Sequence, residues 1–394
     1  MNQTVDILIK LLRAEIDENY VLPELSLSSE TIKSILETAR KHSLAHLVSD
    51  ALKRTQKIED TALLSLLNSN VYSAVIRHQI LDDELKQIAS VLERHQIPYI
   101  PLKGSVLCED YPKAWMRSRR DIDILVSTEN HQKACDALCE ELKYSFFREN
   151  KNDRVFTTRN KLTVEVHHQL ISDDYIPQAM SFLDNVWKKS SPVSADSCCF
   201  RMDSDMYIYH HIAHMAKHCL GGGCGIRPVL DLWIISKNRD YMSDELRRWL
   251  KKSGLLVFAE SMNELCKVWF CDEPHTKSTL AIQEFIVVGG EMGNENFCHF
   301  RRMKKRGGKI GYFLSRIFLS YPELKERYPI VEKHKILIPF CQIHRLVSFL
   351  FGKKRNVMKN EVQKVNTVSQ TDNKIISNAW KHLGIDKNFK RERG

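Results

Sequence analysis

Apolar residues recur every three or four positions through residues 1–90, and this period is typical of amphipathic helices. The period is visible at Ile7, Leu8 and Leu11, and the stretch 62–92 keeps it longest. The N-terminal part of the chain is therefore predicted to be helical.

The pattern changes after this helical region. Apolar and acidic residues alternate over 121–126, and such alternation is typical of a strand with one buried face. A short strand is predicted at 97–101, where apolar residues lie around two prolines. Two more strands, at 155–158 and 162–170, surround a polar triplet that suits a hairpin turn, and a helix is predicted over 131–142. This part is predicted to be a small α/β unit.

Helical periodicity returns after about residue 200 and continues toward the C-terminus. The fold class is therefore predicted to be α+β, with a small α/β core between two helical regions. The predicted parts are an N-terminal helical region at 1–90, an α/β core at 91–190, a C-terminal helical region at 191–352 and a basic polar tail at 353–394.

The 394 residues are 43% hydrophobic, which allows a sizeable core. A formal net charge of +10 favours polyanionic partners such as nucleotides or RNA, and dispersed charge that serves only solubility is the alternative. Eleven cysteines without a CxxC pair predict reduced thiols. The most apolar late stretch, 336–351, contains Pro339, His344 and Arg345, and no signal peptide is recognised. We therefore predict a cytoplasmic protein without a transmembrane segment.

Asp121 and Asp123 are separated by one residue on a predicted strand, so both carboxylates face the same side. Two neighbouring carboxylates repel each other. A divalent cation relieves that repulsion, and Mg²⁺ prefers oxygen ligands. The alternative interpretation is a solvated acidic pair at the end of a strand.

Two further features favour the metal interpretation. Gly104 and Ser105 lie between a predicted strand and a predicted helix, where free N–H groups attract phosphate oxygens. Glu165 shares one face of its strand with His167 and can stand as a third carboxylate, although an exposed strand residue is the alternative. Three acids can hold two metals, one activating a hydroxyl and the other neutralising a triphosphate. That chemistry is in-line displacement at the α-phosphorus.

This order of Gly-Ser, Asp-x-Asp and a later strand acid resembles the signature of the DNA polymerase β nucleotidyltransferase superfamily. More narrowly, the chain resembles a bacterial family of uncharacterised nucleotidyltransferases. The matching segments are 39–44, 102–104, 117–126, 164–167 and 226–232. The resemblance implies a mixed-sheet core in which Asp121, Asp123 and Glu165 are catalytic ligands of Mg²⁺ or Mn²⁺. Glu165 departs from the aspartate that is more common in this family.

Further residues around the acids receive predicted roles. Nucleotide binding is predicted for Lys103, Gly104, Ser105, Arg117 and Arg119. A substrate-pocket role is predicted for His167, His214 and Asp231. His210, His214 and His218 share one helix face, where zinc binding and a polar groove are both open. The basic run at 301–309 either contacts RNA or is a solvated loop.

These features predict a magnesium-dependent enzyme that transfers a nucleotide from an NTP, expected to be ATP, to a hydroxyl acceptor. A small molecule or a protein is favoured as the acceptor, because basic residues are dispersed and no RNA-binding motif with interleaved aromatics is recognised. RNA stays open. The alternative function is that of a degenerate transferase that binds nucleotides or docks a partner.

Overall fold

A computed structural model describes residues 3–171, 176–291, 293–308, 311–312, 318–351 and 370–386 of the chain. Its first part is helical, as the sequence predicts. The helices are α1 (Gln3–Ile16), α2 (Ser29–Lys41), α3 (Ala45–Thr55) and α4 (Thr61–Arg94). Ser28 caps α2, because its hydroxyl accepts a hydrogen bond from the Thr31 N–H.

A five-stranded sheet follows α4 within the described residues. Its strands are β1 (Tyr99–Pro101), β2 (Asp121–Val126), β3 (Ser145–Glu149), β4 (Asp153–Thr157) and β5 (Thr163–His167). Their spatial order is β1-β2-β5-β4-β3. The β2–β5 pair is parallel, whereas β1–β2, β4–β5 and β3–β4 are antiparallel. This is the mixed sheet that the family resemblance implies, with β3 as a strand that the sequence pattern did not predict.

Two helices lie between the strands, α5 (Gly104–Leu107) and α6 (His131–Leu142). One face of the sheet is covered by α4 and α6. Ile122 and Ile124 are buried on that face, in a hydrophobic cluster that includes residues of both helices. Because successive strand residues point to opposite faces, Asp121 and Asp123 project from the other face of the sheet. The alternation therefore sets the direction of both acids.

The second half of the described chain is mostly helical. Its elements are α7 (Pro177–Leu183), β6 (Ser190–Pro192), β7 (Phe200–Met202), α8 (Ser204–Gly221), α9 (Arg227–Asn238), α10 (Asp244–Lys252), α11 (Leu256–Phe270), α12 (Lys277–Gly289) and α13 (Glu295–Lys305). Later helices are Tyr321–Arg327, Ile330–Lys333, Ile338–Phe351 and Gln370–His382. Across the described ranges, none of the helices combines the length and apolar character needed to cross a bilayer. The cysteines are free thiols, as predicted.

One hydrophobic core joins the two helical flanks. Leu8 of α1, Leu47 of α3, Phe258 of α11 and Trp380 of the last described helix belong to the same buried cluster. The N-terminal and C-terminal helical regions therefore share one core and are not separately packed units. The boundaries at 90, 190 and 352 stay predictions.

The prediction of a basic polar tail at 353–394 is wrong for its described part. Gln370–His382 is a helix whose Ile376 and Trp380 are buried in the shared core. Their spacing of four residues is helical, but the surrounding lysines and asparagines hide it in the sequence. The other residues of that range lie outside the described ones.

The basic run at 301–309 is also helical over most of its length. Residues up to Lys305 belong to α13, so the interpretation as a solvated loop is wrong for them. Lys304 Nζ lies 5.1 Å from the centroid of the Trp380 ring, and this contact ties the run to the last described helix. Residue 309 lies outside the described residues.

Ile376→Val tests the packing of this last helix. We expect it to lower the free energy of unfolding by about 0.5–1.5 kcal/mol, because a methylene is removed from a buried site. The matched control is Ile336→Val, at a side chain that is 81% exposed. It is expected to change the free energy by less than about 0.5 kcal/mol. Urea denaturation measures both, and equal effects would contradict the packing of Ile376.

Candidate active site

Two neighbouring strands bring the predicted acids together. In the parallel β2–β5 pair, Asp123 lies opposite Glu165 and Asp121 lies opposite Thr163. Asp123 is 2% exposed, whereas Asp121 and Glu165 are half-buried. All three acids line one cavity of about 700 Å³. The structure thus places the three acids of the sequence prediction in one site.

A group of ligand atoms suited to a cation lies at this point. One oxygen each from Asp123 and Glu165 and one ring nitrogen of His167 all lie within 4.8 Å of one another. The two carboxylates fit the Mg²⁺ or Mn²⁺ that the resemblance implies, because both ions prefer oxygen ligands, whereas an imidazole is a more usual ligand of zinc, copper, iron or nickel. His167, predicted for the substrate pocket, belongs to this group. Asp121, predicted as a ligand, lies beside it on the same face of β2.

Asp123 is the centre of the hydrogen bonding in this group. Its Oδ1 accepts from Lys103 Nζ at 2.6 Å and lies 2.8 Å from His167 Nε2. His167 Nε2 also lies 3.4 Å from Glu165 Oε2. Burial alone raises the pKa of Asp123, but the Lys103 charge and the His167 hydrogen bond outweigh it and hold that pKa far below its usual value. Asp123 is therefore an ionised carboxylate.

Lys103 contacts the acids directly. Its Nζ lies 3.9 Å from Glu165 Oε2, in addition to the contact with Asp123. Burial lowers the pKa of Lys103, but the charges of Asp123 and Glu165 outweigh burial and raise it. The backbone of Lys103 has a φ of 48°, which is uncommon for a residue with a side chain. The residue predicted to bind nucleotide is thus held against the acids in this structure.

Asp121 differs from the other two acids, because its carboxylate contacts no positively charged side chain among the described residues. Its side chain makes no hydrogen bond or ion pair with any residue of the described ranges. Burial, and then the neighbouring Asp123 charge, raise the pKa of Asp121 to about 6. Because burial and the Asp123 charge both disfavour the ionised form of Asp121, a cation bound beside it would relieve the repulsion between the two acids.

The Gly-Ser pair has a different geometry from the predicted one. Gly104 lines the cavity, whereas the buried Ser105 has its Oγ 3.5 Å from Arg119 Nη1. A Cβ at Gly104 would lie 3.0 Å from Arg119 Cβ, so the close approach of Arg119 requires glycine. The amides of Ser105 and Val106 already donate to backbone carbonyls. The expectation of free N–H groups is wrong for these two amides, because the helix is a single turn whose N–H groups close on the preceding loop.

Arg119 lies in the cavity wall and has N–H donors without a partner among the described residues. Its guanidinium is buried, and its Nε and Nη2 have no hydrogen-bond partner among the described residues. The nearest carboxylate in an ion pair is that of Asp82, with Oδ1 3.9 Å from Nη2. Burial lowers the pKa of Arg119, but a guanidinium stays charged in proteins. Arg119 is thus well placed for an anion.

Arg117 and Asp231 bind each other rather than the acids on the sheet. Arg117 Nε donates to Asp231 Oδ1 at 2.6 Å, and the Tyr111 hydroxyl donates to the same oxygen at 2.6 Å. Burial raises the pKa of Asp231, but the Arg117 charge outweighs it and lowers that pKa. The residues predicted to bind nucleotide and substrate therefore form a buried ion pair at the cavity wall.

The segments 39–44 and 226–232 hold the loop that enters β2. Arg227 Nη1 donates to the Ser118 carbonyl at 3.1 Å, and its guanidinium also forms an ion pair with Glu291. The His42 ring accepts a hydrogen bond from the Ile226 N–H at 3.1 Å. The Ser118 hydroxyl donates to the Ser43 carbonyl at 3.0 Å, so both segments contact this loop.

Helix α8 forms the wall opposite the acids. His210, His214 and His218 line the cavity, as does Lys217. Burial lowers the pKa of His210 to about 3 and that of His218 to about 4, so both rings are neutral near pH 7. Within the described ranges, these three rings do not form a group of closely spaced ligand atoms like that of Asp123, Glu165 and His167, so the zinc interpretation stays a prediction without support from the geometry. Lys217 was not predicted, although its position three residues after His214 places it near the same face.

Comparison with known proteins gives one match. Residues 28–271 match a family model described as an uncharacterised nucleotidyltransferase. The matched range contains all three acids, Lys103 and the cavity-lining part of α8. Neither the curated proteins nor the solved structures contain a match.

Proposed function

This chain belongs to the family of uncharacterised nucleotidyltransferases, since that family's model matches more than half of it, and we propose that it transfers a nucleoside monophosphate from an NTP to a hydroxyl acceptor. The observation that carries this proposal is the convergence of ligand atoms from Asp123, Glu165 and His167 within 4.8 Å. Asp121 and the buried Arg119 line the same cavity. Acids and a spare guanidinium in one cavity suit a metal-bound polyphosphate.

The acids on β2 and β5 would hold Mg²⁺ or Mn²⁺. When bound, the metal would neutralise charge on the phosphates and lower the pKa of the attacking hydroxyl. His167 fixes the Asp123 carboxylate through its 2.8 Å contact, as residues behind metal ligands commonly do. The 2% exposure of Asp123 keeps water from most of this carboxylate, which strengthens its electrostatic interactions.

The nucleotide phosphates would lie between the acids and Arg119. The two unpartnered donor nitrogens of Arg119 match the paired oxygens of a phosphate group. Gly104 exposes backbone on the same wall, which permits a close approach by phosphate oxygens. We propose ATP as the donor nucleotide.

The acceptor would enter on the α8 side. Its hydroxyl would meet the neutral His210 ring, whose Nε2 has no hydrogen-bond partner among the described residues. A neutral imidazole nitrogen accepts a proton or a hydrogen bond from a hydroxyl group. A cavity of about 700 Å³ is of the size that binds small molecules. We therefore propose a small molecule, or a single hydroxyl side chain of a protein, as the acceptor.

Label transfer tests this function. The protein is incubated with each α-³²P-labelled NTP, Mg²⁺ or Mn²⁺, and separate pools of small hydroxyl compounds, proteins and tRNA. We expect transfer to a small-molecule or protein pool with ATP as the best donor. Chelation with EDTA is expected to reduce transfer to background, because uncompensated phosphate charge opposes the reaction. Transfer that persists in EDTA would contradict metal dependence.

The same assay separates the alternatives. Transfer to tRNA, with binding that falls steeply as salt rises, would identify RNA as the acceptor class. Nucleotide binding without transfer to any pool would favour the degenerate, nucleotide-binding function. Product mass spectrometry then identifies the modified hydroxyl.

A further inference from the structure

The ammonium of Lys103 lies where a cation bound by the acids would have to lie. Its Nζ is 2.6 Å from Asp123 Oδ1 and 3.9 Å from Glu165 Oε2. These two residues are also members of the group of metal-ligand atoms. The protein therefore supplies a positive charge of its own to the oxygens that would bind the metal.

Asp123 Oδ1 has little capacity to accept a further ligand. Asp123 Oδ1 already has Lys103 Nζ at 2.6 Å and His167 Nε2 at 2.8 Å. A carboxylate oxygen offers about two lone-pair sites, so a metal at this oxygen competes with those contacts. The ammonium and a divalent ion also repel each other strongly at such distances. Metal and ammonium thus compete for this oxygen of Asp123.

The Lys103 side chain has an alternative position within the cavity. Lys103 lines the same cavity as Gly104 and Arg119, where the proposed function places the nucleotide phosphates. Its side chain has a four-carbon stem with free rotation and a point charge at its end. A lysine released from Asp123 can therefore reach phosphate oxygens without a change of the backbone.

We propose that Lys103 is an internal counter-ion that competes with the divalent metal for Asp123 and Glu165, and that the metal releases it toward the nucleotide phosphates. The proposal rests on the metal-dependent function proposed above and adds a regulatory step to it. Metal alone binds weakly because it must displace the lysine. Metal and nucleotide together bind more tightly because the released ammonium gains a phosphate partner, and such coupling is reciprocal.

The Lys103→Met variant distinguishes the effect of Lys103 on metal binding from its effect on nucleotide binding. Mn²⁺ alone is titrated into each protein and followed by electron paramagnetic resonance of the free ion. We expect the variant to bind Mn²⁺ about tenfold more tightly than the wild type, within the usual range of coupling between sites. A fluorescent ATP analogue is then titrated at saturating Mn²⁺, and we expect the variant to bind it about tenfold more weakly. A general folding defect would weaken both affinities.

Lys217→Met is the matched control. Lys217 lines the same cavity, but its side chain forms no ion pair or hydrogen bond within the described ranges. Its replacement removes one cavity charge without opening the contact at Asp123, so Mn²⁺ affinity is expected to rise clearly less than in Lys103→Met. Lys103→Arg is the second variant in case Lys103→Met unfolds. It keeps the charge at the acids, and we expect its Mn²⁺ affinity to stay at or below that of the wild type.

The outcomes are distinct. Tighter Mn²⁺ binding with weaker nucleotide binding in Lys103→Met supports the competition. Equal Mn²⁺ affinities in Lys103→Met and wild type, or a parallel loss of both affinities in a variant that thermal unfolding shows to be folded, would overturn it and leave the proposed function standing. An absence of Mn²⁺ binding in both proteins, with and without nucleotide, would overturn the competition and the metal-dependent function together.

Discussion

Replacing Asp123 with asparagine is expected to lower the rate of nucleotide transfer by about 10³-fold, which corresponds to roughly 4 kcal/mol of transition-state stabilisation. Asparagine has nearly the same shape and can still accept the Lys103 hydrogen bond, but it carries no charge for a metal. Asp123 is the carboxylate shared by the metal-ligand group, Lys103 and His167. Glu165 makes only longer contacts with the same partners, 3.9 Å to Lys103 Nζ and 3.4 Å to His167 Nε2.

Initial rates of label transfer at saturating NTP and metal measure this loss. The control is Glu149→Gln, at an acid on the edge strand β3 whose Oε1 lies 3.0 Å from Arg154 Nε. It neutralises a carboxylate of the same sheet outside the cavity wall and is expected to keep the rate within about twofold, as surface changes do. Thermal unfolding confirms that both variants are folded. A rate for Asp123→Asn close to that of the control would contradict a role of the acids in the transfer reaction.

Replacing Asp231 with alanine is expected to lower the free energy of unfolding by about 3–5 kcal/mol, because a buried partner charge is left uncompensated. The side chains of Arg117 and Asp231 are 7% and 1% exposed. Without Asp231, both the Arg117 Nε–H and the Tyr111 hydroxyl lose their acceptor. Neither group gains water at such low exposure.

Urea denaturation measures the change, and Glu141→Ala is its control. Glu141 also accepts from an arginine, since it forms an ion pair with Arg94 at the surface. A surface pair contributes little to stability, so the control is expected to lose far less than Asp231→Ala. Equal losses in the two variants would mean that burial of the Arg117–Asp231 pair does not govern its contribution.

The acids were predictable because strand geometry is local. One-residue spacing places Asp121 and Asp123 on one face, and the same rule pairs Glu165 with His167. The direct opposition of Asp123 and Glu165 was not predictable, because it depends on β5 lying beside β2 rather than at the edge of the sheet. The edge strand β3 was missed for a related reason. All of its residues are exposed, so no alternation of apolar and polar positions marks it.

The partners of the basic residues could also not be predicted from the sequence. Arg117 and Asp231 are 114 positions apart, and no period or motif connects them. Lys103 was predicted to bind nucleotide, but its loop has a φ of 48° and places the ammonium on Asp123. Such assignments depend on the tertiary fold, whereas faces of strands and helices follow from spacing alone.

The parallel pairing of β2 with β5 and the shared core have a consequence for the synthesis of this protein. His167 and Asp123 are 44 positions apart, and parallel neighbours cannot meet through a tight turn. The buried cluster around α1 further includes Trp380, near the end of the described chain. During translation, the apolar faces of the first helices therefore stay exposed until much later helices emerge, and such exposure favours aggregation and chaperone binding. The strands that carry the metal-ligand cluster, by contrast, have all been synthesised once β5 is complete, so the helical flanks are the part of the growing chain that is a candidate client of chaperones.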